Sequence, residues 1–215
     1  MTADLLPLAL AIAASPFPVV PAILLSLTPR ATANGAAFLA GWAAGILAGT
    51  ALFVGLAAVV EGVEETPEWV SWARVLLGAG LVVVGLRQWL SRGEAPEAPA
   101  WVTSIDAATP VTAARLALLL SAANPKILVL SAAAGLTIAD AAAAPAWAAL
   151  AVVAFALLGS VSVALPLLAH VVLGERANAP LLRAKEWLTR HNATIMAVVI
   201  LVIGVVLLAK GMGGL

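Results

Sequence analysis

Lys126 places an ammonium group near the middle of an apolar stretch, and it is the most demanding feature of this 215-residue chain. A lysine at that depth in a membrane costs on the order of 3 kcal/mol on insertion scales, so it must face a water-filled cavity, a polar partner or a bound ligand. No Asp or Glu lies at comparable depth in any apolar segment. The partners open to Lys126 are therefore carbonyls, water or an anionic group. Such a lysine is also a candidate for proton release coupled to substrate binding. His170 is a second candidate for proton coupling.

The residues around Lys126 have a counterpart. Leu119-Leu120-Ser121-Ala122-Ala123-Asn124-Pro125-Lys126 repeats, 109 positions later, the pattern of Leu10-Ala11-Ile12-Ala13-Ala14-Ser15-Pro16-Phe17. Each copy puts a polar residue and a proline about halfway along a long apolar run. Proline has no N–H to give and disrupts a helix, and unpaired backbone in lipid is tolerated only where it lines a cavity or is buried in protein. Pro16, Pro18 and Pro21 are expected to leave the carbonyls of Ile12, Ala14 and Phe17 without helical donors, and Pro125 that of Ser121. The half-helix after each break would turn its positive dipole end toward the gap. Ser15, Pro16, Pro18, Asn124, Pro125 and Lys126 are the candidate substrate-binding residues. A pair of interrupted hydrophobic segments in corresponding positions is a sequence pointer to a transporter site.

Composition sets what must hold these residues. The chain is 63% hydrophobic and 10% charged, with zero formal net charge and no cysteine. So much apolar surface fits an all-α integral membrane protein and not a soluble domain of this length. Neutral charge without a basic block argues against nucleic acid as a partner. The lack of cysteine removes disulfides and thiol chemistry. No cofactor and no metal ligand set is expected. Ser162 and His170 stand eight positions apart with no orienting acid, so no enzyme activity is expected either.

Six apolar segments run from Leu5 to Thr28, Ala36 to Val60, Val70 to Leu90, Ala113 to Ile138, Ala146 to Leu173 and Ala193 to Lys210. Each is close to or above the ~20 residues that span a bilayer. They are solidly apolar, which predicts six transmembrane helices rather than alternating strands, with helices one and four broken at midplane. Asp4 precedes the first run and the first cation is Arg30, so that run is read as a retained span and not a signal peptide. Further matches, Glu68-Trp69-Val70 with Glu186-Trp187-Leu188 and Leu81 to Gly85 with Ile200 to Gly204, predict a three-plus-three duplication. Because three is odd, the two repeats are inverted. The expected boundaries are 1–92 for the first three-helix repeat, 93–112 for a cytoplasmic linker and 113–215 for the second repeat.

Lys and Arg mark the cytoplasmic side. The loops after spans one, three and five hold, with their flanks, Arg30, then Arg87, Arg92 and Arg115, then Arg176, Arg183, Lys185 and Arg190, whereas the other side has only Arg74 and Lys210 near span ends and Glu61, Glu64, Glu65 and Glu68 after span two. Both termini are thus expected outside, in a multi-pass membrane protein. Trp69, Trp72, Trp147 and Trp89 suit interfacial anchors, and Trp42 suits packing within the bundle. Ser131, Ser160 and Ser162 are expected to bond back within their helices or to pack between them, and Asp140 to be a solvated helix end. Gly41, Gly45 and Gly49 form a ladder on span two along which another helix can approach closely.

With Ser15-Pro16-Phe17-Pro18 in span one and Asn124-Pro125-Lys126 in span four, the whole chain resembles the lysine exporter (LysE) superfamily. Within it the resemblance is to the branch of small actinobacterial proteins called the glycopeptidolipid and sulfolipid addressing (GAP/Sap) family. The resemblance implies broken helices, an outside terminus at each end, a homodimer and export driven by an ion gradient. For this branch it implies outward movement of cell-envelope glycolipids or related molecules. The expected function is a secondary exporter of a small solute or envelope glycolipid-related molecule bearing an anionic group, working by ion-coupled alternating access among membrane lipids. The alternative is a non-transporting membrane partner that assembles or localises an envelope-lipid synthesis complex.

Overall fold

The computed structural model describes residues 2–60, 68–90, 105, 107–141 and 144–213, and among these the chain is helical with no strand. The helices in chain order are α1 (Thr2–Ala13), α2 (Pro16–Leu25), α3 (Ala31–Val60), α4 (Glu68–Leu90), α5 (Pro110–Ala122), α6 (Pro125–Ala141), α7 (Pro145–Gly159), α8 (Val161–Leu173) and α9 (Asn178–Met212). A 3₁₀ turn, Gly174–Ala177, joins α8 to α9. It opens on Gly174, whose φ of 56° ends α8 in the left-handed region that suits glycine. The acidic residues Glu61, Glu64 and Glu65, the side chain of Trp69, and the expected linker from 93 to 104 lie outside the described residues.

Outward-facing apolar side chains identify the solvent. Leu90 is 80% exposed, Val172 76% and Leu76 70%. Surface this rich in leucine and valine is unfavourable against water and ordinary against lipid tails. Ala31–Ala57, within α3, is long and apolar enough to cross a bilayer as one helix. Three bent pairs also qualify, Leu5–Ala13 with Pro16–Leu25 at 50°, Pro110–Ala122 with Pro125–Ala141 at 68°, and Pro145–Gly159 with Val161–His191 at 59°. Shorter apolar stretches, Gly78–Leu90 and Ala197–Val206, lie in α4 and α9.

The breaks expected in the first and fourth apolar segments are present, and the fifth, expected to be continuous, is bent as well. The Ser160 amide turns back to the Leu157 carbonyl at 3.1 Å, and its hydroxyl donates to the Ala156 carbonyl at 2.7 Å. These bonds tighten the last turn of α7 and interrupt the regular ladder. Helix α9 also begins earlier than its apolar segment. Its first turns dock through Leu181 and Leu188 on Ile23 and Val19 of α2 and on Leu27 just beyond it, while Arg183, Glu186 and Arg190 stay exposed. Hydropathy sees only the membrane part of a helix whose beginning is amphipathic.

The chain divides into two compact units, Met1–Val59 with Ala98–Thr189 and Val60–Glu97 with Arg190–Leu215. In the larger unit the four half-helices of the first and fourth segments pair crosswise, α1 on α6 and α2 on α5, while α7 covers α1 and α8 covers α2. The glycine ladder of α3 lies along α5 and α6. A Cβ on Gly41 would strike the Ala114 carbonyl, one on Gly45 would strike the Ser121 hydroxyl, and one on Gly49 would come 3.5 Å from Ser131. The smaller unit pairs α4 with the later part of α9. There a Cβ on Gly78 would lie 2.7 Å from the Leu208 amide nitrogen, and one on Gly204 would lie 2.8 Å from that of Val82. Backbone meets backbone at this crossing, an approach open only to small residues.

Candidate functional site

The first break is built by serine and proline. Ser15 has extended backbone, φ −73° and ψ 120°, and is the N-cap of α2. Pro16 and Pro18 occupy the first turn of α2, where a missing N–H removes no helical bond, so they start a helix as much as they stop one. The expectation that Pro16 frees the Ile12 carbonyl is corrected here. That oxygen accepts from the Ser15 amide at 3.0 Å, because the chain turns before the proline is reached. Pro21 lies inside α2 and has no N–H for the Phe17 carbonyl. Ser15, Pro16 and Pro18 are all buried.

At the second break Ala123 ends α5, its amide donating to the Leu119 carbonyl at 2.9 Å. The Asn124 Oδ1 accepts from the Lys126 amide at 3.0 Å, and its backbone carbonyl begins the helical ladder by accepting from Leu128 at 3.0 Å. Asn124 is thus the N-cap of α6, with Pro125 in the first position. Pro125 has no N–H for the Ser121 carbonyl. The Ser121 hydroxyl bonds back to the carbonyls of Ala117 and Leu118 at 2.9 and 3.0 Å.

Lys126 stands in the first turn of α6. Its Nζ is buried and has no hydrogen-bond partner among the described residues. No carboxylate neutralises it there. Neutral groups on α3 and α6, which touch, share this condition. The Ser131 hydroxyl, one turn beyond Lys126 and against Gly49, is buried without a partner, and so is the Trp42 Nε1 of α3. Trp42 is buried as the packing expectation requires, yet its N–H is unsatisfied. Nothing in the sequence marks a donor left over after packing.

Because α1 packs on α6 and α2 on α5, each chain segment changes partner at its own break. Both breaks lie in the larger unit, Asn124, Pro125 and Lys126 at the second and Ser15, Pro16 and Pro18 at the first. The bend at Ser160 adjoins the first break, since a Cβ on Gly159 would lie 3.3 Å from Ile12 and 3.4 Å from Ile46. His170 is placed elsewhere. It lines a cavity of about 600 Å³ with residues 26–33, Glu175 and Asn178, whose walls include none of the six break residues.

Fold and site together define an all-helical membrane protein with buried polar groups at its helix breaks. Over residues 5–213 the chain matches the family described as Sap, sulfolipid-1-addressing protein, and it belongs to that family. Comparison with curated proteins and with solved structures found no match.

Proposed function

We propose that this protein is a secondary exporter of the bacterial inner membrane, with six spans in two inverted repeats and a substrate site at the paired breaks. The observation that carries the proposal is the Lys126 ammonium, buried at the start of α6 without a partner among the described residues. An uncompensated charge there is costly unless a ligand or water completes it. The α6 N-terminus adds its positive dipole end, so both features favour a carboxylate, sulfate or phosphate on the substrate. Asn124 holds the turn, while Ser15 and the proline-started α2 form the opposite wall.

The family description, sulfolipid-1-addressing protein, supports an anionic envelope lipid or a related molecule as cargo. An ion gradient supplies the drive, with Lys126 and His170 as the candidate proton carriers, and the working form is a homodimer. No chemical step is assigned to any residue.

Native mass spectrometry of the mildly extracted protein tests the site. An anionic molecule should co-purify with the wild type and be lost from Lys126→Met. If nothing co-purifies, and substitutions of exposed Arg183 or Arg190 impair the protein while Lys126→Met does not, a non-transporting assembly partner becomes the better description.

A further inference from the structure

Two cavities lie along the same crevice of the larger unit, between α3 and α8. The first, about 600 Å³, mixes polar with apolar walls. Arg30 precedes the first turn of the 30-residue helix α3, and across from it stand His170, Glu175 and Asn178. His170 Nδ1 and Asn178 Oδ1 are buried without hydrogen-bond partners among the described residues. The second, about 320 Å³, begins one turn further along and is apolar. Its walls are Ala36, Ala40 and Ala43 on one side and Leu157, Val161 and Ala164 on the other, with Ser160 among them. Leu167 separates the two where it lies on Gly35, its Cδ1 at 2.9 Å from the place a Cβ would take.

We infer that this crevice is a lateral binding track for an amphiphile with an anionic, hydroxyl-bearing head and an acyl chain, the head in the larger cavity and the chain in the groove. The inference rests on the exporter reading and supplies its means of lipid access. Arg30 and the α3 N-terminus suit the anion. Glu175 repels a bare anion, but it and the Asn178 oxygen accept from hydroxyl donors, so a head carrying both kinds of group fits better than free phosphate. From Ala36 to Ala43 the groove runs about 10 Å along the helix, enough for the first part of a chain whose remainder stays in the bilayer. Alanines open the groove, and Leu167 against Gly35 marks where head gives way to tail. Its inner end is Ser160, and the neighbouring Gly159 packs on Ile12, one turn before the break at Ser15. The track therefore leads from the lipid-facing surface toward the paired breaks.

The full chain in phosphatidylcholine nanodiscs can be tested with lysophosphatidylglycerol carrying a photoreactive acyl chain. Crosslinks should map to 36–43 and 157–167. Ala40→Trp, at an exposed position that tolerates bulk, should reduce them about ten-fold by filling the groove. Arg30→Ala should weaken binding of the probe about ten-fold through loss of a charge-assisted contact. Crosslinks spread evenly over the apolar faces of α4 and α9 and unchanged by Ala40→Trp would overturn the track, as would glycerol 3-phosphate competing as well as the lipid. Loss of Lys126-dependent co-purification with crosslinks in place would sink the exporter site and leave the track standing. The reverse result would sink the track alone.

Discussion

Lys126 separates function from packing most sharply, because the two roles predict opposite stability changes. A lysine kept only for structure would lose contacts on substitution. One held buried and unpaired for a ligand is instead relieved of a cost on the order of 1 kcal/mol or more. Lys126→Met should therefore raise the melting temperature of the ligand-free protein in detergent while abolishing ligand retention. A fall in both would assign it to packing. Asn124 has a separate duty, since its side chain caps α6 through the Lys126 amide. Asn124→Ala should cost roughly 0.5–2 kcal/mol, and Asn124→Ser, which can still cap, should recover most of it. Thermal melting of the pair checks this; equal losses would remove the cap from the explanation. These residues were legible in the sequence because a proline, an amide and a charge inside an apolar run are local exceptions. The unpaired Trp42 Nε1 and Ser131 hydroxyl were not, since an unmet hydrogen bond depends on neighbours that only the fold supplies.

Among the elements, the breaks before α2 and α6 could be read from proline at a helix start. The bend at Ser160 could not, because it comes from a serine bonding backward and from Gly159 seated on Ile12. The start of α9 was hidden for a related reason: its docking face is set by α2, which is distant in sequence. The glycine ladder was readable as a close approach but not as to its partner, which proves to be the broken pair α5–α6. Contact at these glycines predicts a contrast within α3 and α6. A Cβ on Gly135 would meet Phe53 Cβ at 2.7 Å and the Thr50 carbonyl at 2.9 Å, whereas Gly55 has nothing within 4 Å. Gly135→Ala should destabilise by about 1–3 kcal/mol, since backbone on the facing helix cannot easily yield. Gly55→Ala should be neutral or stabilise by up to about 1 kcal/mol through helix propensity. Equal melting shifts for the two would mean that the α3–α6 approach is looser than described.

At the scale of the whole molecule, the contacts repeat when the halves of the chain are exchanged. Exchanging α1 with α5 and α2 with α6 turns the α1–α6 contact into α5–α2, and both occur. Ile12 against Gly159 becomes Ser121 against Gly45, with offsets of 109 and 114 positions. In the smaller unit Gly85 against Leu201 becomes Gly204 against Val82 at an offset of 119. The offset grows steadily along the chain, as it would if the loops of the second copy were longer. These correspondences agree with a duplicated chain, and the proposed inversion of the two copies carries a consequence for topology. Thr32, in the first turn of α3 after the first broken span, and Ala141, the last residue of the second, are 109 positions apart and both exposed. If the repeats are inverted, these equivalent positions face opposite sides of the membrane, Thr32 on the arginine-rich inside and Ala141 outside. The chain has no cysteine, so Thr32→Cys and Ala141→Cys each introduce one thiol into a clean background. A membrane-impermeant maleimide applied to intact cells should label Ala141→Cys and reach Thr32→Cys only after permeabilisation. Labelling of both from the same side would end the inverted arrangement and, with it, the alternating access built on two opposed half-helices.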